Sequence, residues 1–171
     1  SVINHGVNHD FFKPSTDKEN TRKKILAKLK IPDGPYFLHV GENNYVRKNL
    51  KRVGEAFEQA KYSHSEKTFK HNLIIAGKHY PAIEKELSRI GGIYFLDWIT
   101  DGDLLQLIQG ADAFFLPSLH EGFGMPLVES MACGVPCMSC NLHAPPEIIL
   151  NAGMLVNPYD ISEIANCIIQ L

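Results

Sequence analysis

Residues 117–129 read Pro-Ser-Leu-His-Glu-Gly-Phe-Gly-Met-Pro-Leu-Val-Glu, so two carboxylates, two glycines and two prolines fall within one short stretch. Gly122 and Gly124 permit backbone conformations and close approaches that a Cβ forbids. Pro126 fixes the first turn of a following helix, where its missing N–H costs nothing. The free amides of that turn, with the helix dipole behind them, attract an anion. Glu121 stands in the loop, and Glu129 about one turn into the helix at ~3.6 residues per turn. A carboxylate accepts two hydroxyl hydrogen bonds at once, which suits a sugar or a ribose. The pattern therefore fits a cradle for a phosphorylated, hydroxyl-rich ligand. It also fits a plain tight turn followed by a solvated helix face.

A second stretch, residues 41–50, reads Gly-Glu-Asn-Asn-Tyr-Val-Arg-Lys-Asn-Leu. Gly41 ends an apolar run, and the spacing places Arg47 and Lys48 at the start of a helix. Cations there oppose the helix dipole. A bound anion would justify them, Lys as a point charge and Arg as a bidentate fork. A solvated basic pair is the alternative.

Other constellations carry less. Asp101-Gly102-Asp103 is an Asp-x-Asp, but Thr100 three residues before Asp103 reads as a helix cap, and two carboxylates make an incomplete metal site. Cys137 and Cys140 form a Cys-x-x-Cys within a predicted strand. An offset of three there sends the side chains to opposite faces, so they read as buried, inert thiols with Cys133 and Cys167. His39 lies in a predicted strand as a core or strand-end residue, and His120 abuts Glu121. No Gly-x-Gly-x-x-Gly, Walker loop or Gly-x-Ser-x-Gly occurs, which leaves dinucleotide oxidoreductase, ATPase and serine hydrolase readings without support.

These residues need elements to hold them. Short, nearly continuous apolar runs predict strands at residues 36–40, 72–76, 93–96, 112–116 and 136–140, with a weaker one at 154–156. Such runs suit strands covered on both faces. Helical spacing predicts helices at 20–29, 50–60, 81–87, 103–109, 126–133 and 161–171. The stripe Leu50, Val53, Gly54, Phe57 and Ala60 marks the second of these. The alternation implies βαβ units and an α/β, doubly wound, Rossmann-like parallel sheet of about six strands with helices on both faces. Ligands in such sheets bind beyond the carboxyl ends of the strands, where both stretches fall.

The 171 residues bound this to about one domain. Hydrophobic residues at 44% argue against a disordered tail. A formal charge of −2 argues against a nucleic-acid binder. No run reaches the ~18–20 apolar residues of a membrane span, and the polar opening does not read as a secretory leader. The four cysteines then read as reduced and the chain as cytoplasmic. Residues 1–13 find no partner strand in their own unit, which suggests a fragment of a longer protein.

Residues 117–141, PSLHEGFGMPLVESMACGVPCMSCN, resemble the signature of the retaining, family 4 nucleotide-sugar glycosyltransferases of GT-B architecture (glycosyl transferases group 1), including their paired glutamates with seven residues between, here Glu121 and Glu129. Residues 40–57 resemble that family's phosphate loop and helix, residues 2–14 its entry into the C-terminal domain, and 111–118 also fit. The resemblance implies a hexosyltransferase whose residues 15–171 form the donor-binding domain, with 1–14 as interdomain linker and the N-terminal acceptor domain absent. It implies that Lys48 contacts the donor diphosphate with Arg47 nearby, and that Glu129 binds the ribose. Glu121 and the backbone of Gly122, Phe123, Gly124 and Met125 would hold the transferred sugar and phosphate, and Ile99, beside Trp98, would lie against the nucleobase. Glu121 and Lys48 are the expected catalytic pair. No metal or other cofactor is implied. The partners would be a nucleotide diphosphate sugar and a glycan or lipid-linked acceptor, with the full-length protein peripheral to the inner face of the membrane. The Arg-Lys-Asn phosphate loop resembles members acting in surface-polysaccharide assembly, mannosyltransferases among them, and so suggests GDP-mannose. Many members carry Arg where this chain has Glu42, which implies either weaker diphosphate binding or substitution by Arg47. A non-catalytic nucleotide- or sugar-phosphate-binding module and a GT-B phosphorylase are the alternatives.

Overall fold

The computed structural model describes residues 6–41, 46–63, 69–78 and 81–171. Six strands form one all-parallel sheet: β1 (Tyr36–Val40), β2 (Asn72–Ala76), β3 (Ile93–Leu96), β4 (Ala113–Leu116), β5 (Cys137–Cys140) and β6 (Met154–Val156). Their order is β3-β2-β1-β4-β5-β6. The chain thus builds outward from β1 in one direction, returns, and builds from β4 in the other. The crevice between the ends of β1 and β4 is the topological switch point.

Among the described residues, seven helices lie between and around these strands: α1 (Lys18–Lys28), α2 (Leu50–Ser63), α3 (Pro81–Leu87), α4 (Asp101–Gly110), α5 (Met125–Ala132), α6 (Pro145–Ile149) and α7 (Ile161–Gln170). Alternation along the strands divides the core into two layers. On β1, Phe37 joins α2, α3 and α7 through Phe57, Ile83 and Ile164, whereas Tyr36 and Leu38 join α1 and α4 through Ile25 and Leu107. All five residues of the sequence stripe on α2 are buried. Gly54 is required there, because a Cβ would collide with the Leu87 side chain of α3.

The strands fall within one residue of their expected bounds. The helices need more correction. α4 starts two residues early, capped by Thr100 Oγ1, which accepts from the Asp103 amide. α6 was not expected: five residues opening on two prolines show no amphipathic stripe. Arg47 and Lys48 precede α2 rather than opening it. They occupy a turn over residues 46–49 in which Asn49 takes a left-handed conformation (φ 61°), and Asn tolerates that region better than most residues. The dipole argument made for them from spacing therefore does not apply. Among the described residues, no helix is long and apolar enough to cross a membrane.

Candidate functional site

The turn after β1 is held against the loop after β4. Leu119 donates its amide to the Arg47 carbonyl (2.8 Å). The Asn49 side chain donates to the carbonyls of Pro117 (3.0 Å) and Pro158 (2.6 Å). This docking delivers Lys48 to Glu121, with Lys48 Nζ 2.7 Å from Glu121 Oε2 and both residues buried. Ser118 Oγ lies 3.4 Å from the same oxygen. Arg47 donates to the His120 carbonyl (3.2 Å) and sits 3.8 Å from Glu121 Oε2. The pair lies at the switch point, as strand order requires.

Gly41 makes room for this arrangement, since a Cβ there would press on the Lys48 stem and on His39 Nε2. His39 is buried, and neither ring nitrogen makes a well-formed hydrogen bond among the described residues. Burial, reinforced by the Lys48 charge, pushes its pKa down to about 3, so the imidazole beside Lys48 is neutral.

On the other side of Glu121, Gly124 takes φ 91° and caps α5 without a side chain. A Cβ at Gly124 would meet the Glu121 stem, Leu116 and Leu127. Met125 and Pro126 form the first turn, so the amide end of α5 adjoins the Lys48–Glu121 pair. Gly122 is exposed and Phe123 half-buried. Glu129 is half-buried on α5, and burial together with the Asp101 carboxylate raises its pKa.

From Gly41 a cleft of about 150 Å³ runs along the sheet edge toward β3, lined by Val40, Gly41, Ala76, Gly77, Asp97, Trp98, Ile99, Asp101 and Leu104. Ile99, which the family resemblance set against a nucleobase, is one of the residues on this cleft. Asp101, weighed from sequence as half of an Asp-x-Asp pair and set aside as an incomplete metal site, lines the cleft, and its charge is felt by Glu129. Its companion Asp103 is engaged elsewhere, 2.6 Å from Lys28 Nζ. Lys48, Glu121, α5, Glu129, Asp101 and Gly41 therefore form a continuous border. Glu42 lies outside the described residues.

The four cysteines are buried free thiols, and burial raises Cys137 and Cys167 to about 12. A larger cavity of about 410 Å³ opens at the opposite edge of the sheet, but its central carboxylate, Asp112, is shared by Arg22 and Lys18.

The border has two chemical ends. Lys48, Arg47 and the α5 amides favour an anion. Asp97, Asp101 and Glu129 accept hydrogen bonds from hydroxyl and N–H groups.

Residues 34–171 match the family model described as glycosyl transferases group 1. The chain is 31% identical over 154 residues to the O-antigen chain mannosyltransferase B of Escherichia coli, covering 85% of this chain and 39% of that protein. It is 30% identical over 170 residues to the serotype-specific mannosyltransferase WbdA of the same species, covering 95% of this chain and 20% of that protein. The chain thus spans well under half the length of these relatives. Among solved structures, the C-terminal domain of a glycosyl transferase group 1 family protein (LpcC) from Francisella tularensis superposes with a TM-score of 0.80 at 24% identity, covering 97% of this chain and 87% of that one. Anabaena HepE, solved with UDP and glucose, gives 0.79 at 21% identity, covering 99% and 46%. Family model, relatives and fold agree, and the chain belongs to the glycosyl transferases group 1 family, with the Rossmann-like fold of a GT-B C-terminal domain.

Proposed function

We propose that the chain is the donor-binding half of a retaining, family 4 hexosyltransferase, which moves a sugar from a nucleotide diphosphate sugar to a glycan or lipid-linked acceptor. The observation that carries this reading is the meeting of Lys48 and Glu121 at the switch point, beside the amide end of α5. The names of the two E. coli relatives favour mannose as the sugar, and with it GDP-mannose as donor. Residues 15–171 form the donor domain and 1–14 the linker to an acceptor domain elsewhere in the whole protein, which works at the inner face of the membrane as a peripheral enzyme.

Lys48, with Arg47 beside it, binds the diphosphate. Negative charge grows on the departing phosphate as its bond to the sugar breaks, and a fixed cation with aligned amides stabilises that charge where water is scarce. No metal is needed for this role. Glu121 and the backbone at Gly122, Phe123, Gly124 and Met125 hold the sugar, Glu129 holds the ribose, and Ile99 packs on the base. The acceptor oxygen attacks on the face the diphosphate leaves, and its proton passes to the departing phosphate oxygen.

Calorimetry tests the assignment. The chain is expected to bind nucleoside diphosphates saturably, and Glu129→Ala to weaken that binding about tenfold through lost ribose hydrogen bonds, with the melting curve unchanged. Binding of inorganic phosphate without any nucleotide would favour a phosphorylase instead.

A further inference from the structure

The sheet edge gives a bound donor a direction. In the reading above the base lies toward β3, in the cleft that starts at Gly41, and the diphosphate lies at Lys48, where β1 meets β4. The strand order β3-β2-β1-β4-β5-β6 then carries the next part of the donor, the sugar, toward the end of β5. Two imidazoles stand there, on the loops that follow β4 and β5.

His120 directly precedes Glu121, and its carbonyl accepts from Arg47 (3.2 Å). His143 follows β5. Both residues are exposed, and their rings meet edge to face with centroids 4.4 Å apart and planes at 64°. Among the described residues no hydrogen bond or ion pair engages either ring. The loop that presents His143 is fixed on both sides: Asn141 donates its amide to the Val156 carbonyl of β6 (2.9 Å), and the buried Pro145 opens α6. His143 itself takes a left-handed conformation (φ 61°). Such strain persists only where the surroundings hold it. An exposed ring adds little packing to offset it, so the strain points to a contact the ring makes outside the chain.

We propose that His120 and His143 form the far wall of the sugar subsite and hydrogen-bond the hydroxyls of the transferred hexose that face away from the diphosphate. This rests on the donor-binding reading above. The diphosphate is attached at C1 of the hexose, so the hydroxyls on C3 and C4 lie at the opposite end of the ring. Each hydroxyl both donates and accepts. Glu121, as a carboxylate, only accepts, whereas a neutral imidazole carries one N–H and one bare nitrogen. Two such rings side by side match a vicinal pair of hydroxyls and supply the donors that Glu121 lacks.

Titration calorimetry tests the proposal by comparing GDP with GDP-mannose, and UDP with UDP-glucose, so that either base reveals the share of affinity owed to the sugar. His120→Ala and His143→Gly are the variants, glycine being free to keep the left-handed turn. Each is expected to weaken the nucleotide sugar about fivefold, as loss of a neutral hydrogen bond does. The matching nucleoside diphosphate should bind as before, and the melting curve should not move. Nucleotide-sugar affinity that survives the double variant would overturn the proposal while leaving the donor-binding reading intact. So would nucleotide and nucleotide sugar weakening together, since the two loops would then shape the phosphate end and not touch the sugar. Failure of the wild-type chain to bind any of the four compounds would overturn both.

Discussion

Lys48 and Glu121 stand 73 positions apart and meet with both side chains buried. Breaking such a pair by removing one partner leaves an uncompensated charge inside the protein, which costs far more than an exposed ion pair is worth. Lys48→Met is therefore expected to lower stability by about 3 kcal/mol. Adding Glu121→Gln should recover much of that loss, because the stranded charge is gone. Nucleotide binding should fail in both variants, a split that chemical denaturation and calorimetry read together. His39 makes a second residue-scale case. Its folded pKa is about 3 against an ordinary 6.5, so between those values the unfolded chain binds a proton that the folded chain refuses. Stability is then fully present above pH 6.5 and falls as pH drops toward 3, by up to ~1.4 kcal/mol per unit. His39→Phe is expected to flatten this slope relative to wild type, measured by urea unfolding at pH 7 and pH 5. An identical slope in the two proteins would assign the acid sensitivity to other histidines.

The elements converge through close approaches at the carboxyl ends of the strands. Gly77 follows β2 with φ 117°, and a Cβ there would land on the Gly41 carbonyl that follows β1. Gly77→Ala meets both backbone strain and a collision with main chain, and should destabilise by about 2–3 kcal/mol. Because Gly41 seats Lys48, nucleotide affinity should fall with it, whereas Gly122→Ala, which meets nothing within 4 Å, should leave the fold unchanged. Paired thermal melts distinguish the two. The strands themselves were legible because each is a continuous apolar run between polar segments, and α2 because its stripe repeats every three or four residues. The α6 helix was not, since five residues cannot display a period. Glu121 and Lys48 were legible as candidates, but their contact depends on strand order, which pairs β1 with β4 across the two intervening strands of the sequence. Asp101 was hidden for the same reason: locally it is a residue at a helix start, and only the neighbouring ends of β1, β2 and β3 turn it into the wall of a cleft.

The whole molecule is polarised by its parallel sheet. Every strand points its carboxyl end toward the same edge, so Arg47, Lys48, Glu121, Asp101 and Glu129 collect there, while Lys18, Arg22 and Asp112 tie up the opposite edge in ion pairs. The net charge of −2 offers no long-range attraction for an anionic donor, so affinity must come from local groups at that one edge. Such an edge can grip a donor, but transfer demands more: an acceptor hydroxyl held against the anomeric carbon on the face the diphosphate leaves, and exclusion of water that would otherwise compete for it. In the proposed reading the groups along this edge go to the donor, and that reading assigns none of the described residues to an acceptor. The 171-residue chain is therefore expected to bind a nucleotide sugar and leave it intact, with neither transfer nor hydrolysis above the uncatalysed rate when products are followed by chromatography. The longer protein carrying this chain should turn the same donor over. Lys48→Met in that protein should abolish turnover, since the charge on the departing diphosphate would lose its cation. Sugar transfer by the 171-residue chain itself would mean that an acceptor site lies within this one sheet.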